Sequence, residues 1–498
     1  MYITRYLVRG SKTLTAGEIQ EAVYPYLGPG RLPGDVDNAR AALEKAYHDK
    51  GYKAVSVFIP QQNIRQGIVT LQVEENPVGR LRVRGAQFTS PAAVIAQAQP
   101  SMGEGKPIDY AKITDDIIAM NQVPGRTVTP VPKPGVVPGT MDIDLEVKDE
   151  LPFHGSLELN NRYSPNTSAL RLGGSLSYDN LWQMGHSIGT SFQLAPEDLD
   201  DALVFSGYYM MRLQDHPGWA LMLQGSKQDS DVATLGGITS VGAGTTLGLR
   251  AIRTLPPAKN LYHSISFGFD YKHNDDELNV AGTSSPTPIT YYPFSILYTS
   301  SIKGETAGRT DINLGVNWAF RGPGDSYYDF SQKRYGASGG YIYARGDVSH
   351  TRDMTNGFQW FAKLQGQASN EPLISAEQFA AGGLGSVRGY LESEALGDDA
   401  LFATLELRSP SLLKYLGGSW DEGDDLRVYA FVDGGVTSLH EALPGQSSGE
   451  QLGSIGLGTR GRFFDHLNGS LDAAYPLWER PTGEDQSVMY TFRLWGDF

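Results

Sequence analysis

From Leu151 to Phe498, bulky apolar and aromatic side chains return at every second residue. A period of two is the mark of strands with two unlike faces, so helical architectures are excluded for the larger part of this chain. In Thr310 to Phe320, one face holds Ile312, Leu314, Val316, Trp318 and Phe320, and the other holds Asp311, Asn313, Gly315, Asn317 and Ala319. Ile265, Phe267, Phe269 and Tyr271 alternate with Ser264, Ser266, Gly268 and Asp270. Val488, Tyr490, Phe492, Leu494, Gly496 and Phe498 form one face of a final strand. A soluble sandwich also alternates, but its outer face carries Lys, Glu and Thr. Here the second face is small and largely uncharged, as expected for a lumen lined by Ser, Asn and Gly. There is no run of 18 apolar residues and the mean hydropathy is −0.31, so no transmembrane helix is expected. Barrel strands need no such run, because they hide their hydrophobicity in alternate residues.

Sixteen strand candidates are placed near Phe153–Tyr163, Leu170–Asp179, His186–Leu194, Ala202–Leu213, Trp219–Lys227, Ala243–Thr254, Leu261–His273, Ile289–Thr299, Thr306–Phe320, Tyr341–Ser349, Phe358–Ala368, Ala400–Arg408, Arg427–Gly435, Leu452–Phe463, Leu467–Tyr475 and Val488–Phe498. An even number of antiparallel strands of this length can close in a bilayer. A ring of sixteen is wide enough to leave an aqueous channel, and a count of fourteen or eighteen would fit the same alternation. The fold class expected is therefore mixed: small α+β domains followed by a 16-stranded antiparallel transmembrane β-barrel over residues 150–498.

The boundary comes from charge. Residues 1–149 hold 17 basic and 16 acidic side chains, while residues 150–498 hold 24 and 40, so the whole excess behind the net −15 lies in the second part. A chain this acidic is a poor nucleic-acid binder. The absence of cysteine excludes disulfides, Cys-ligated metals and a thiol nucleophile.

Residues 1–149 read as two units in the order β-α-α-β-β, at 1–76 and 77–149. In the first, Tyr2–Val8 is a strand, Thr15–Tyr24 and Val36–Lys50 are helical, and Ala54–Ile59 and Gly67–Glu74 are strands. Thr15 and Glu18 have capping-box spacing, and Gly51 stands where a helix should end. In the second, the strand Val78–Val83 precedes helices Pro91–Ala98 and Asp109–Asn121 and strands Thr127–Val131 and Met141–Lys148, the last two joined by the turn Pro132–Gly139. Such small three-stranded sheets leave edges that can add a strand from a partner or be protected by neighbours.

Catalysis finds little support: the nine His form no H-E-x-x-H pair, and no P-loop occurs. Gly453–Gly458 lacks the βαβ context of a dinucleotide loop and reads as a Gly-rich strand close to the long loop. The acidic groups at Glu197–Asp201, Asp275–Glu277 and Asp421–Asp425 read as solvated loops. No enzyme activity, cofactor or metal is expected.

One connection stands apart. The segment 369–399 is too long for an idle hairpin loop. It contains FAAGGLGSVRGY from Phe379 and ends in an acidic stretch. Arg388 at its tip is either a solvated surface residue or, if the loop folds into the lumen, a cation that must find a carboxylate. Val387-Arg388-Gly389-Tyr390 resembles the VRGY tip of the inward-folded loop in the two-partner secretion family of bacterial outer-membrane transporters, the haemolysin-activator and filamentous-haemagglutinin type. Phe431, Asp433 and Gly435 match that family's F-x-D-x-G motif, which implies an Arg388–Asp433 pair. Tyr47 to Glu75 resembles the family's first polypeptide-transport-associated domain, through Tyr47, Gly51 and Tyr52 and through Ile59, Pro60 and Gln62. Phe498 resembles the terminal outer-membrane assembly signal.

The resemblance implies an outer-membrane transporter with residues 1–149 in the periplasm. These domains would recognise an unfolded exoprotein by strand addition, and the barrel would secrete it without nucleotide or metal. The partners implied are the exoprotein, outer-membrane lipids and the outer-membrane assembly machinery, with no nucleic acid and a monomeric barrel. The alternatives are an insertase of the same superfamily, or a surface enzyme or passive porin. Family members carry a signal peptide and a plug helix before the first domain. Met1–Gly10 has no apolar stretch or cleavage site, so either the start falls short of them or the plug is absent.

Overall fold

The computed structural model describes all residues except 65, 215, 217, 229–242, 257, 276, 281–282, 305–307, 418–419 and 422, and the backbone alone for 277–280 and 283–286. Thr306, the expected start of the ninth barrel strand, and Asp276 and Glu422 of two acidic groups therefore lie outside the described residues. The chain forms two compact units, one built mainly from Met1–Pro152 and the other from the strands that begin at Phe153.

In the first unit, β1 (Arg5–Arg9), α1 (Ala16–Val23), α2 (Pro33–Asp49), β2 (Ser56–Phe58) and β3 (Ile68–Glu74) form one α+β layer pair. The sheet order is β1-β3-β2, with β1 parallel and β2 antiparallel to the central β3. Thr15 caps α1 as its spacing predicts: the Thr15 amide donates to Glu18 Oε2 at 3.0 Å, and the Glu18 amide donates to Thr15 Oγ1 at 3.4 Å. The apolar stripe of α2, Val36, Ala39, Leu43 and Tyr47, is buried against Val69, Leu71 and Val73 of β3 in a single core.

The pattern repeats in β4 (Val78–Arg84), α3 (Pro91–Met102), α4 (Tyr110–Met120), β5 (Arg126–Pro134) and β6 (Met141–Asp149), with sheet order β4-β6-β5. Two details differ from the sequence reading. Helix α3 continues to Met102 with Pro100 in its last turn. Strand β5 runs on through Pro130, Pro132 and Pro134, into the segment expected to be a turn. These prolines fit a strand because β5 is an edge, where alternate amides point away from the sheet and can be dispensed with.

Among the described residues, sixteen antiparallel strands close the second unit into a barrel, as the alternation predicts. They are Phe153–Asn160, Arg171–Leu181, His186–Leu194, Leu203–Arg212, Trp219–Gln228, Gly244–Thr254, Leu261–Asn274, Ile289–Lys303, Gly308–Ala319, Tyr341–Asp353, Gln359–Ser369, Asp399–Arg408, Asp425–Ser438, Gln451–Phe463, Leu467–Pro476 and Met489–Asp497, numbered one to sixteen. Strand eight is in two pieces, Ile289–Tyr291 and Phe294–Lys303. Both keep the same register on strand seven, and Pro293 interrupts the ladder because it has no N–H. The last strand returns to the first over five register pairs, Arg493↔Asn160 to Asp497↔Ser156.

Leu314, Leu405, Val432, Leu457 and Leu494 all point outward from the wall and are exposed there. The inward face is not the largely uncharged surface the alternation implies. Arg250 pairs with Asp270 at 2.7 Å, Lys272 with Glu377 at 2.6 Å and Arg493 with Glu158 at 2.8 Å. Most of these partners sit on neighbouring strands, so a reading along one strand sees isolated charges, whereas the closed wall offsets each one.

Candidate functional site

The connection between strands eleven and twelve turns back inside the barrel. Phe379–Ala381 and Ala395–Gly397 pair as a short antiparallel stem. Beyond it the chain doubles round a turn in which the Ser386 hydroxyl accepts from the Gly382 amide at 2.7 Å. Gly382 has φ +110°, and a Cβ there would stand 2.1 Å from the Leu391 carbonyl oxygen, so this bend requires glycine.

Each VRGY residue has a separate contact. Val387 is fully buried with Phe379, Tyr390 and Phe402 in an apolar cluster between loop and wall. Gly389 has φ +88° and lies against Ala474 of strand fifteen. The Tyr390 hydroxyl lies 3.2 Å from the carbonyl oxygens of both Gly453 and Trp478. Arg388 is enclosed. Its backbone amide and Nε donate to Asp433 Oδ2 at 3.1 and 2.7 Å, Nη2 donates to Asp433 Oδ1 at 2.9 Å, and Nη1 donates to Glu406 Oε1 at 2.7 Å. Asp472 Oδ1 stands 3.7 Å from Nη1. The guanidinium carbon lies 3.5 Å from the Phe431 ring centroid.

The F-x-D-x-G residues divide the work of receiving this tip. Phe431 supports the cation and Asp433 binds it bidentately, the strong geometry for an Arg–carboxylate pair. Gly435 leaves room for the Phe402 ring, which a Cβ would meet at 2.4 Å, and Phe402 stacks on Phe379 of the loop with centroids 5.6 Å apart. The glycines of strand fourteen act likewise. A Cβ at Gly456 or Gly458 would strike the rings of Phe431 or Tyr429. The Gly453–Gly458 segment is thus a strand of small residues across which aromatic rings lie.

Sequence reasoning missed two of the three carboxylates around Arg388. Glu406 (strand twelve) and Asp472 (strand fifteen) face inward; Asp472 is the one acid of its strand, whereas strand twelve also carries Asp399 and Arg408, so only the face, once known, singles Glu406 out. Glu406 also accepts from Arg408 Nη2 at 2.7 Å, and Asp472 accepts from the Tyr429 hydroxyl at 2.8 Å.

The acidic stretch after the tip is likewise paired. Glu392 accepts from Arg162 Nε at 2.7 Å, Glu394 from Arg480 Nε and Nη2 at 3.0 Å each, and Asp398 from Arg334 Nη2 at 3.1 Å. At the root of the loop, Glu377 accepts from Lys272 Nζ at 2.6 Å and from the Tyr291 and Tyr343 hydroxyls at 2.7 Å each. The loop is therefore pinned along its whole length. Beside it lies a cavity of about 860 Å³ lined in part by Arg250, Asp270, Arg345 and Lys363.

In the first unit, Tyr47 is fully buried and its hydroxyl faces Ser11 Oγ and Glu75 Oε1. Burial is the main cause that pushes this phenol up to about 12, with Ser11 opposing and Glu75 adding to it. Gly51 ends α2 at φ +97°, where a Cβ would meet Asp109 Oδ1 at 2.7 Å, and its carbonyl accepts from the Tyr110 amide at 3.3 Å. Gly51 thus allows the close approach of α4 from the second sheet layer. The Tyr52 amide donates to the Tyr47 carbonyl at 3.1 Å. Pro60 and Gln62 act together. Continuing the β2–β3 register would set Pro60 opposite Thr70, and the Gln62 amide takes that rung: Thr70 N–H donates to Gln62 Oε1 at 2.7 Å, and Gln62 Nε2 donates to the Thr70 carbonyl at 2.8 Å. Phe498 exchanges both backbone hydrogen bonds with Gly155 at 3.0 Å, and its ring lies 5.8 Å from Phe153.

The model of the family "Haemolysin secretion/activation protein ShlB/FhaC/HecB" matches residues 139–461, and that of the ShlB-type POTRA domain matches residues 1–76. "Outer membrane transporter CdiB" of Escherichia coli O6:K15:H31 (strain 536 / UPEC) is 24% identical over 501 residues, covering 95% of this chain and 79% of that protein. "Heme/hemopexin transporter protein HuxB" of Haemophilus influenzae (strain 86-028NP) is 18% identical, covering 81% and 71%. Among solved structures, CdiB from Escherichia coli superposes with a TM-score of 0.67 at 20% identity over 100% of this chain and 90% of that one. BamA from Haemophilus ducreyi lacking POTRA domains 1–3 does so with 0.56 at 15% identity over 100% of both. The chain belongs to the haemolysin secretion/activation family: it is an outer-membrane transporter of the two-partner secretion type, not an enzyme, with its POTRA-type domains in the periplasm.

Proposed function

We propose that residues 1–149 bind an extended, unfolded exoprotein and that the barrel passes it outward when the tip of the inward loop leaves its seat. The observation that carries this reading is the enclosure of Arg388 by Asp433, Glu406 and Asp472 inside a barrel wide enough to conduct. A loop that merely decorated the outer surface would have no use for three buried carboxylates, each expensive to desolvate. Arg388 acts here as a latch and does not read the cargo. The exported chain needs no nucleotide, and its folding outside the cell would bias its movement.

The test is secretion from the native host. The cargo is identified as the polypeptide that leaves the culture medium when this gene is deleted and returns when it is restored. Restoring the gene as Arg388→Ala should return a heat-modifiable barrel to the outer membrane while cargo in the medium stays at least tenfold below wild type. Normal secretion by that variant would defeat the latch. A deletion that removes nothing from the medium would defeat the export function itself.

A further inference from the structure

Each of the two three-stranded sheets has two edges; one edge of each is closed by side chains, and the other is paired only at its start, Ile3 with Gly28 ahead of β1 and Val78 of β4 with Gly105 and Lys106. On β2, Ser56 pairs with Glu74 and Phe58 with Gln72, so the N–H and C=O of Val57 face away from the sheet. Side chains of α2 meet them: Val57 N–H donates to Glu44 Oε2 at 3.2 Å, and Arg40 Nη1 donates to the Val57 carbonyl at 3.3 Å. The next rung, at Thr70, is filled by Gln62. On β5, the Asn121 amide takes both outward groups of Val128, at 2.6 and 3.1 Å. The following outward positions are Pro130, Pro132 and Pro134, which have no N–H to offer. Neither edge can extend its sheet by another strand.

The opposite edges follow from the same alternation. Thr70 faces β2, so Val69 and Leu71 face β1, where they stand opposite Tyr6 and Val8. In a parallel ladder their bonds then run to Arg5, Leu7 and Arg9, leaving the N–H and C=O of Tyr6 and Val8 pointing away. Likewise Val128 faces outward, so Thr129 and Val131 face β6, and Ile143 and Leu145 face β4 opposite Leu81 and Val83. Leu81 and Val83 thus direct their backbone groups outward. Among the described residues, none of these four outward amides has a partner.

We infer that β1 and β4, not β2 and β5, are the edges on which an extended segment of the exported polypeptide docks. The inference rests on the proposed function and names its binding surface. Each edge offers two N–H and two C=O groups spaced for a strand, so capture is weak and tolerant of sequence, as a transporter of an unfolded chain requires. Arg5 and Arg9 on β1 and Arg80 on β4 are exposed on the face away from the helices, while Arg84 on that face is already paired with Asp144 at 3.0 Å. They favour a segment whose side chains on that face are acidic or uncharged.

Val8→Pro with Val83→Pro removes one outward N–H from each edge and spares the ladders, which run through the neighbouring residues. Cargo, identified by gene deletion as above, should fall at least tenfold in the medium. Val128→Pro, the same change on a closed edge, should secrete within twofold of wild type. Wild-type secretion by the double variant, or a tenfold loss in Val128→Pro alone, would overturn the inference. Should the double variant fail to accumulate, a photo-cross-linking residue placed at Leu7 and at Leu81 should trap the cargo, whereas one at Phe58 and at Lys133 should not. The reverse pattern overturns the inference. A gene deletion that removes no polypeptide defeats the function instead, and the two failures are thereby told apart.

Discussion

Arg388→Ala removes a guanidinium whose Nε and Nη2 are held by Asp433 and whose Nη1 is held by Glu406. It leaves Asp433, Glu406 and Asp472 facing one another, with Arg408 still bonded to Glu406. Removing one partner of a buried ion pair costs about 3–5 kcal/mol, chiefly because the other partner stays buried and unpaired. At about 1.4 kcal/mol per tenfold, the undocked share of the tip should rise roughly a hundredfold to several thousandfold. The roots of the loop stay fastened through Glu377 and Asp398, so the tip is freed without unfolding the barrel. Val387 is fully buried against the wall, and the chain has no cysteine, so Val387→Cys provides a unique reporter. Its rate of reaction with a bulky maleimide should rise by that factor in Arg388→Ala. If unpaired carboxylates are the cost, adding Glu406→Gln should recover part of the docking and slow the labelling again. An unchanged rate in Arg388→Ala, or faster labelling still in the double variant, would refute the reasoning.

Two further outcomes are expected. Glu377→Gln removes the charge that holds Lys272 at the loop root, and purified protein in planar bilayers should conduct more often than wild type while its tip remains seated; identical conductance would assign Glu377 no part in closure. In the first unit, Lys133 foremost, with Arg82 and Arg84, holds the Asp144 carboxyl down at about 2 against the opposing effect of burial. A carboxyl lowered by folding stabilises above its unfolded pKa, near 3.9, and loses that contribution as pH falls towards 2. The helical signal of the periplasmic domains should therefore melt at lower temperature from about pH 4 downward, and Asp144→Asn should flatten that dependence.

The motifs were legible because each is local. The strands were placed by a period of two that any eleven residues display, and Val387 to Tyr390 and Phe431 to Gly435 are contiguous patterns. The expected turn at Pro132–Gly139 illustrates the limit: proline reads as a breaker until the sheet shows that β5 is an edge and that the missing amides point outward. The charges of the lumen were misjudged for a related reason, since Arg250 and Asp270 are isolated within their own strands and partners only across the pairing of strands six and seven.

By itself the sequence pointed to two α+β units, to an even set of alternating strands and to which side chains face outward, because periodicity is a property of neighbouring residues, and the family resemblance added the Arg388–Asp433 pair. The tertiary structure alone decided what surrounds that arginine. Glu406, Asp433 and Asp472 come from strands twelve, thirteen and fifteen, and only register and barrel closure bring them to one point. It also decided which sheet edges remain open, because Gln62, Arg40, Glu44 and Asn121 close theirs through side-chain contacts that span 7 to 17 residues and that no local pattern records.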